Sequence, residues 1–225
     1  MKNVLIIAPH PDDEVLGCGG IIKKYSSAEK SVFVVVVSRG KSGLYSEERI
    51  QNVRQEALNA HRILGVKETR FFDFPAPELD LVSTSELARA ISEVIREFKT
   101  DTIFLPHRGD IHHDHGAVFN AGLVAARPVK ESPVKRIFSY ETLSETEWSP
   151  PFGNDIFIPG YFVNIADVFH VKLEAMKCFK SQVREFPNPR SLEAMEALAK
   201  LRGSTVGFTH AEAFMNIRII EDKIY

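Results

Sequence analysis

The sequence predicts an α/β protein: one domain over residues 1–225, with a doubly wound, mostly parallel sheet between two layers of helices. Short apolar runs rich in β-branched residues alternate with helical patterns along the first 127 residues. The run at 32–37, Val-Phe-Val-Val-Val-Val, is typical of a strand buried on both faces. A chain of 225 residues is also long enough to bury one large core.

Four strand and helix pairs are predicted in this first part of the chain. Ser46 is a typical N-cap and Gly65 a typical helix stop, so they bound the second helix. Ser83 and Glu86 have the spacing of a capping box at the start of the third helix. The predicted strands are 4–8, 31–38, 69–74 and 102–105, and the predicted helices are 15–27, 46–64, 83–98 and 116–126.

The last third of the chain is less regular, because prolines and glycines interrupt it from Pro128 onward. No linker and no internal repeat sets it apart, so we expect one domain with an irregular carboxyl-terminal third. The predicted strands here are 136–140, 161–165 and 213–220, the predicted helices are 167–178 and 191–201, and 146–160 is a predicted loop.

Composition argues against several classes of partner. The 28 lysines and arginines nearly balance the 30 acidic residues, which speaks against nucleic acid or an anionic membrane as the main partner. Cys18 and Cys178 are too few for a disulfide framework. No apolar run approaches the ~20 residues of a membrane span, and no leader pattern opens the chain. These features predict a soluble, cytoplasmic protein without a membrane span.

Polar residues follow two of the predicted strands directly. His10-Pro-Asp-Asp-Glu14 comes after the first strand, and the segment 106–115 comes after the fourth. In open α/β sheets the ligand crevice lies at the carboxyl ends of the strands. His10, Asp13 and His115 are therefore candidate metal ligands. Two imidazoles and one carboxylate with open positions serve both catalytic zinc and non-haem Fe(II) sites.

The remaining polar residues of these loops suggest acid–base chemistry. Asp12 points away from its neighbour Asp13 in a tight turn, so it is free to act as a general base. His112, as an imidazolium, would stabilise an oxyanion and later protonate a leaving amine. Asp114 is the candidate that holds the His112 ring in one tautomer.

Other polar residues have more ordinary interpretations. Glu14 is expected to begin the first helix, and Asp110 and His113 either support the metal site or are solvated. A dinucleotide site is excluded, because the glycines at 17–20 lack the G-x-G-x-x-G spacing and Asp12 would repel a pyrophosphate. The remaining loop histidines, His61, His107 and His170, are expected to be surface or structural residues.

The two motifs resemble the PIG-L/LmbE-like family of zinc-dependent N-deacetylases. The resemblance rests on residues 8–14 with the glycines that follow, and on Asp110-x-His112-x-Asp114-His115. The helix residues 54–56 and the late segment 211–214 look familial as well.

The resemblance implies a Rossmann-like fold, one zinc ion and hydrolysis of an acetamido group on an N-acetylglucosamine-type sugar. It also implies an acetylated amino-sugar as the small-molecule partner, and a homo-oligomer. Arg54 falls where family members place a substrate-contacting arginine, and His210 stands where they often carry a tyrosine. By position, His10, Asp13 and His115 match the zinc ligands, Asp12 the base, His112 the electrophilic histidine and Asp114 its partner.

Two alternatives remain open at this point. A non-haem Fe(II) oxygenase would use the same three ligands, and a zinc-binding subunit without catalysis would use the same fold. Substrate specificity is expected in the loops 38–46, 74–80 and 146–160. Four aromatic residues in or next to the third region, Trp148, Phe152, Phe157 and Tyr161, are candidates to stack on a sugar face.

Overall fold

The structure, a computed structural model, describes residues 2–129 and 132–221. Within these residues seven strands form one sheet, and six α-helices pack on it. The two ends of the predicted domain, residue 1 and residues 222–225, lie outside the described residues, as do 130–131. The strands are β1 (Asn3–Ala8), β2 (Ser31–Gly40), β3 (Glu68–Ala76), β4 (Thr102–Pro106), β5 (Arg136–Tyr140), β6 (Tyr161–Asn164) and β7 (Ala211–Ile219).

The helices carry the apolar positions that the sequence pattern predicts, and two short 3-10 turns, Leu79–Leu81 and Gly153–Asp155, accompany them. None of the described helices is both long and apolar enough to cross a membrane. The helices are α1 (Asp13–Ser27), α2 (Glu47–Leu64), α3 (Thr84–Glu97), α4 (His113–Ala125), α5 (Phe169–Met176) and α6 (Leu192–Ser204).

The strand order is β3-β2-β1-β4-β5-β7-β6. The pairings from β3 through β5 are parallel, whereas β7 lies antiparallel between β5 and β6. Alternate residues of β1 and β2 belong to two separate apolar cores. One core is shared with α1, α2 and α5, and the other with α3 and α4. The predicted three-layer, mostly parallel α/β fold is thus confirmed.

The topology places the two motif loops side by side. The chain runs outward from β1 to β2 and β3, and then returns to add β4 on the other side of β1. Neighbouring parallel strands whose connections diverge in this way leave a crevice at their carboxyl ends. The loops that follow β1 and β4 both open into this crevice.

Some boundaries differ from those predicted. β3 continues through Pro75, which is compatible with its place at the edge of the sheet. α4 begins at His113, three residues before the predicted start, so His115 lies in its first turn. Ser83 precedes α3, but its hydroxyl contacts Ser85 and makes no capping bond to the helix.

Two glycines in α1 allow neighbouring groups to approach the helix closely. A Cβ atom on Gly17 would lie 2.3 Å from the ring of Tyr140, and one on Gly20 would lie 2.6 Å from Ile165. The Tyr140 hydroxyl in turn donates to the carbonyl of Ile7 at 2.9 Å. These contacts join the start of α1 to the middle of the sheet.

A buried ion pair joins α1, α5 and β7. The Glu212 carboxylate accepts hydrogen bonds from the N–H groups of Gly20 and Ile21 at 2.7 Å each. It also lies 2.7 Å from Nζ of Lys172, which donates a second bond to the carbonyl of Leu16. Lys172 and Glu212 are each only 5% exposed, so neither charge has water as an alternative partner.

We expect Glu212→Ala to lower the free energy of unfolding by about 3–5 kcal/mol, because Lys172 would remain buried without its counter-ion. Urea unfolding followed by circular dichroism measures the change. The matched control is Glu196→Ala, which removes the exposed Glu196–Lys200 pair of α6 and should cost less than about 1 kcal/mol. Equal losses for the two variants would show that the buried pair has no special role.

Candidate functional site

The turn between β1 and α1 separates two adjacent carboxylates. Asp12 is the N-cap of α1 and has a left-handed backbone with φ of 107°. Its N–H donates to the Glu14 carboxylate at 3.2 Å, which holds this uncommon conformation. Asp13 lies inside among the histidines, whereas Asp12 lines an open cleft.

Asp13 meets one histidine from each motif loop. Its Oδ2 atom lies 3.3 Å from Nδ1 of His10 and 3.3 Å from Nε2 of His115. Bonds of about 2.0–2.1 Å in a tetrahedral zinc site put neighbouring ligand atoms about 3.3–3.4 Å apart. The three side chains therefore have the spacing of zinc ligands.

The second nitrogen of each imidazole is held by a carboxylate. Nε2 of His10 donates to Asp114 Oδ2 at 2.9 Å, and Nδ1 of His115 donates to Asp110 Oδ2 at 2.7 Å. These bonds select the tautomers whose free nitrogens face Asp13. Metal-binding histidines are oriented by carboxylates in the same way.

Both supporting carboxylates are themselves anchored. Asp114 accepts a hydrogen bond from the N–H of Leu79 at 2.8 Å, and Asp110 accepts one from the Thr146 hydroxyl at 2.6 Å. Of the two interpretations left open for Asp110, the geometry favours support of the metal site. His113 points elsewhere: its side chain is 84% exposed, and its nearest carboxylate is Asp80 at 3.8 Å.

The chemistry of the site fits a divalent cation. Asp13 Oδ1 and His115 Nε2 are buried, and neither has a hydrogen-bond partner within the described residues. A buried carboxylate that faces two unprotonated ring nitrogens is unfavourable unless a positive charge lies between them. A second group, His10, His112 and Asp114, also meets the spacing of ligands, but its members His10 and Asp114 already bond to each other.

The charges of the three residues lead to the same conclusion. Although burial opposes ionisation, the charges of His115 and His10 hold the pKa of Asp13 well below its usual range. Burial also opposes a charge on His10, yet its hydrogen bonds with Asp114 and Asp13 raise its pKa to about 9. The site thus attracts positive charge, and a bound divalent cation would replace the protons of the two rings.

Asp12 has a different environment. Burial raises the pKa of Asp12 to about 8, despite the opposing charge of Arg190, and Asp13 and Glu14 add to the rise. A carboxyl group that titrates near neutral pH can both accept and return a proton. Arg190 donates from Nη1 to Asp12 Oδ2 at 3.0 Å.

Sequence reasoning missed Arg190. It lies in an irregular segment just before α6, at a distance of 178 residues from Asp12 along the chain. The one signal in the sequence was the run of three carboxylates at 12–14. Such a run requires a nearby cation, but the sequence does not identify the residue that provides it.

Glu14 also has a role beyond beginning a helix. It is fully buried, and its Oε1 atom lies 2.8 Å from Nε2 of His61. Nδ1 of the same ring contacts the Thr69 hydroxyl at 2.8 Å. Glu14 and His61 therefore form a buried polar chain beneath Asp12, and His61 is hydrogen-bonded in the structure, in line with its expected structural role.

His112 differs from the prediction in its charge. It is the N-cap of α4, and its Nδ1 atom accepts a hydrogen bond from the N–H of Asp114 at 3.2 Å. Burial and the nearby charge of His10 lower its pKa to about 4. This environment favours a neutral imidazole with its proton on Nε2 over the predicted imidazolium, and the catalytic role of His112 stays a prediction.

Asp114 likewise differs from the role predicted for its side chain. Its carboxylate lies 3.9 Å from Nδ1 of His112, beyond hydrogen-bond distance, and bonds to His10 instead. The backbone N–H of Asp114, and not its carboxylate, selects the tautomer of His112.

A cleft of about 240 Å³ opens above these residues. Asp12 and His112 face it beside His10, and Arg54 is also among its lining residues. Four arginines line the cleft together with apolar side chains such as Ile50 and Val53, so its surface is mixed polar and apolar. Its lining residues are His10, Pro11, Asp12, Ser38, Arg39, Gly40, Tyr45, Arg49, Ile50, Val53, Arg54, Ala76, Pro77, His112, Glu145, Gln182 and Arg190.

The two predicted substrate-binding residues have different positions. Arg54 lies at the cleft, where Nη2 donates to Phe72 and Asp73. His210 stacks on Phe169 with ring centroids 4.6 Å apart and is not among the lining residues of the cleft. A role for His210 in substrate binding stays a prediction, and the described contacts lend it no support.

The specificity loops agree with the prediction in part. Residues of 38–46 and 74–80 line the cleft, but the described residues of 146–160 line a separate cavity of about 290 Å³. Trp148 and Phe152 are exposed, Phe157 lines the separate cavity and Tyr161 stacks on Phe138. These four aromatics do not line the cleft.

The remaining histidines are an exposed His170 and a buried His107 that contacts the carbonyl of Asp155 at 2.8 Å.

Comparison with known proteins gives concordant matches. A family model described as PIG-L: GlcNAc-PI de-N-acetylase matches residues 5–126, just over half of the chain. "Uncharacterized deacetylase YaiS" of Escherichia coli K12 is 31% identical over 188 residues, which cover 80% of this chain and 91% of the relative. Diacetylchitobiose deacetylase of Thermococcus kodakarensis is 29% identical over 199 residues, which cover 82% and 72%.

The fold matches solved structures over its whole length. The conserved protein TT1542 from Thermus thermophilus superposes with a TM-score of 0.79 over 100% of this chain and 99% of that one. The two are 24% identical, so this likeness concerns the fold alone.

We expect Asp110→Asn to weaken the binding of Zn²⁺ about 10- to 100-fold, because the neutral amide holds the His115 ring less firmly. Competition with a chromophoric zinc chelator measures the affinity. Asp80→Asn is the matched control, since Asp80 lies beside the exposed His113 and should leave the affinity unchanged. Equal affinities of Asp110→Asn and the unaltered protein would exclude His115 as a ligand supported by Asp110.

Proposed function

The chain belongs to the PIG-L family of GlcNAc-PI de-N-acetylases, and on this premise we propose that it is a metal-dependent N-deacetylase. Its substrate is an N-acetylglucosamine-type sugar or sugar conjugate, in line with the deacetylases among its relatives. One observation carries the proposal: the half-buried His10 and the buried Asp13 and His115 lie directly beside Asp12, which faces the cleft.

His10, Asp13 and His115 are the residues that would hold the metal. Zn²⁺ is the proposed ion, because two imidazoles and a carboxylate are typical of its catalytic sites, and Fe²⁺ is the principal alternative. When bound, the ion supplies Lewis acidity, which lowers the pKa of water from ~16 to near 7 and polarises a carbonyl oxygen.

The proton transfers are assigned to Asp12. Its carboxylate takes a proton from the attacking water as the new C–O bond forms at the acetyl carbon. The same carboxyl group then gives that proton to the nitrogen of the breaking C–N bond, so that acetate and a free amine leave. Burial raises the pKa of Asp12, which suits the return of the proton, and a cation bound beside it would favour the ionised form that accepts the proton.

His112 is assigned to the developing negative charge on the acetyl oxygen. As a neutral ring with its proton on Nε2, it donates a hydrogen bond without carrying a charge of its own. Its low pKa leaves Asp12, and not His112, as the donor of the proton to the amine.

The outer cleft is proposed to bind the sugar. Arg54 is held by Asp73 and by the carbonyl of Phe72, so its guanidinium has a fixed direction. Guanidinium groups in fixed positions bind hydroxyl and carboxylate oxygens well. The homo-oligomer and the cytoplasmic location stay predictions.

The two alternatives receive less support. An oxygenase with the same three ligands has no need of a carboxylate base beside them, and family membership favours the hydrolase. A subunit that only binds zinc would need neither Asp12 nor the neutral His112 at an open cleft.

We expect the zinc-loaded protein to release acetate from at least one acetylated amino sugar in a panel of free, nucleotide-linked and lipid-linked N-acetylglucosamine derivatives. An enzyme-coupled acetate assay measures the reaction. Asp12→Asn should lower kcat about 10²- to 10⁴-fold and retain its zinc, because Asp12 is not a ligand. Full activity of Asp12→Asn would contradict the assigned base, and no acetate from any member of the panel would contradict the activity.

Removal of the metal by a chelator should abolish acetate release, and addition of Zn²⁺ should restore it. Elemental analysis of anaerobically purified protein identifies the native ion. Stoichiometric iron together with oxygen-dependent turnover of 2-oxoglutarate would favour the oxygenase instead.

A further inference from the structure

The carboxylate of Asp12 needs a partner from outside the 12–14 turn to hold it in position as a base. Its neighbours Asp13 and Glu14 are also carboxylates and are fully buried, so all three repel one another. Asp12 itself is 1% exposed and has little water to stabilise its charge. Of the described residues, Arg190 supplies the one cation in contact with its carboxylate, at 3.0 Å.

Arg190 is in turn fixed by two other segments. Its Nε atom donates to the Ser144 hydroxyl at 2.8 Å, and Nη1 contacts Gln182 Oε1 at 3.2 Å. Nη2 lies 3.5 Å from the Glu145 carboxylate. A guanidinium is planar and its donors diverge at fixed angles, so these contacts determine where Nη1 meets Asp12.

The backbone of Arg190 is held as well. Its N–H donates to Asn188 Oδ1 at 2.9 Å, and its carbonyl accepts from the N–H of Arg184 at 3.3 Å. The next residue, Ser191, caps α6 through its side chain. Arg190 is therefore attached to a well-anchored segment although it lies in a loop.

We propose that Arg190 is the positioning residue for Asp12: it holds the carboxylate of the base at the edge of the cleft and keeps it from turning toward the buried ligands. Glu14 holds the backbone of Asp12, and Arg190 holds its side chain. The proposal rests on the proposed deacetylase function and deepens it.

The alternative is that Arg190 only binds the substrate and does not position Asp12. Its Nη1 is engaged by Asp12 and Gln182, and its Nε by Ser144, so most of its donors point into the protein. An arginine that acts through the base affects kcat, whereas one that binds substrate affects KM.

Arg190→Gln is expected to lower kcat about 100-fold, the cost of a base that is misplaced by about 1 Å, while KM changes less than about threefold. Arg190→Lys keeps the positive charge but lacks the diverging N–H groups of a guanidinium. Its kcat should therefore lie between that of Arg190→Gln and that of the unaltered protein. The matched control is Arg184→Gln, which removes an exposed arginine of the same segment and should leave kcat unchanged. Within the described residues, the side chain of Arg184 donates a hydrogen bond only to the carbonyl of Val183. Urea unfolding verifies that each variant is folded.

A double-mutant cycle with Asp12→Asn separates the possible roles. If Arg190 acts through Asp12, the double variant is no slower than Asp12→Asn alone, because the base that Arg190 positions is already lost. Multiplicative losses, or a loss confined to KM, would overturn the proposal and make Arg190 a substrate contact. Loss of activity in Asp12→Asn together with normal kcat in Arg190→Gln would overturn the positioning role and leave the proposed function intact.

A crystal structure of zinc-loaded Arg190→Gln gives a readout that needs no turnover. The Asp12 carboxylate is expected to leave its position or to adopt more than one orientation, with the zinc ligands in place. An unchanged, single orientation of Asp12 would contradict the positioning role even where no substrate has been found.

Discussion

Asp13 lies fully buried between two imidazoles that each turn one ring nitrogen toward its carboxylate, and the rest of the site depends on this arrangement. These three groups need a positive charge between them, from protons on both rings or from a bound cation, because otherwise they would present only lone pairs to one another in a buried site. The carboxylates of Asp110 and Asp114 fix this arrangement, because each accepts a hydrogen bond from the far nitrogen of one ring. The same hydrogen bonds that orient the ligands therefore create the demand for a metal.

The two motif loops bring five carboxylates to this edge of the sheet, and four of them have a separate polar partner. Asp110 and Asp114 bond to the two ligand histidines, Glu14 to His61, and Asp12 to Arg190. Among the described residues of this group, Asp13 is the one whose carboxylate has a fully buried oxygen without a hydrogen-bond partner. Because the other four charges are already compensated, the attraction for a cation is concentrated at Asp13. Asp12, the proposed base, can then lie beside the proposed metal site without becoming a ligand.

Local sequence patterns were sufficient to predict the layers of the fold and the position of both motif loops. Apolar runs end where polar residues begin, and parallel strands bring those ends to one edge, so His10 and His115 could be paired before any geometry was known. The antiparallel insertion of β7 between β5 and β6 could not be predicted, because strand pairing between segments far apart in the chain leaves no local signal. The tautomer of His112 depends on one backbone N–H at a helix start, and its charge depends on burial. Neither is encoded in residue spacing.

Arg190 shows that the family-matched part of the chain and its last third supply different groups of the candidate site. The family match ends at residue 126 and contains every proposed metal ligand and the base. The cation that faces the base comes from the irregular last third, together with Gln182 and Glu145 at the cleft wall. Substitutions in that third can therefore move Asp12 or reshape the cleft without touching the metal ligands. A constant metal centre and a variable substrate range are compatible in such a fold, because different segments of the chain determine them.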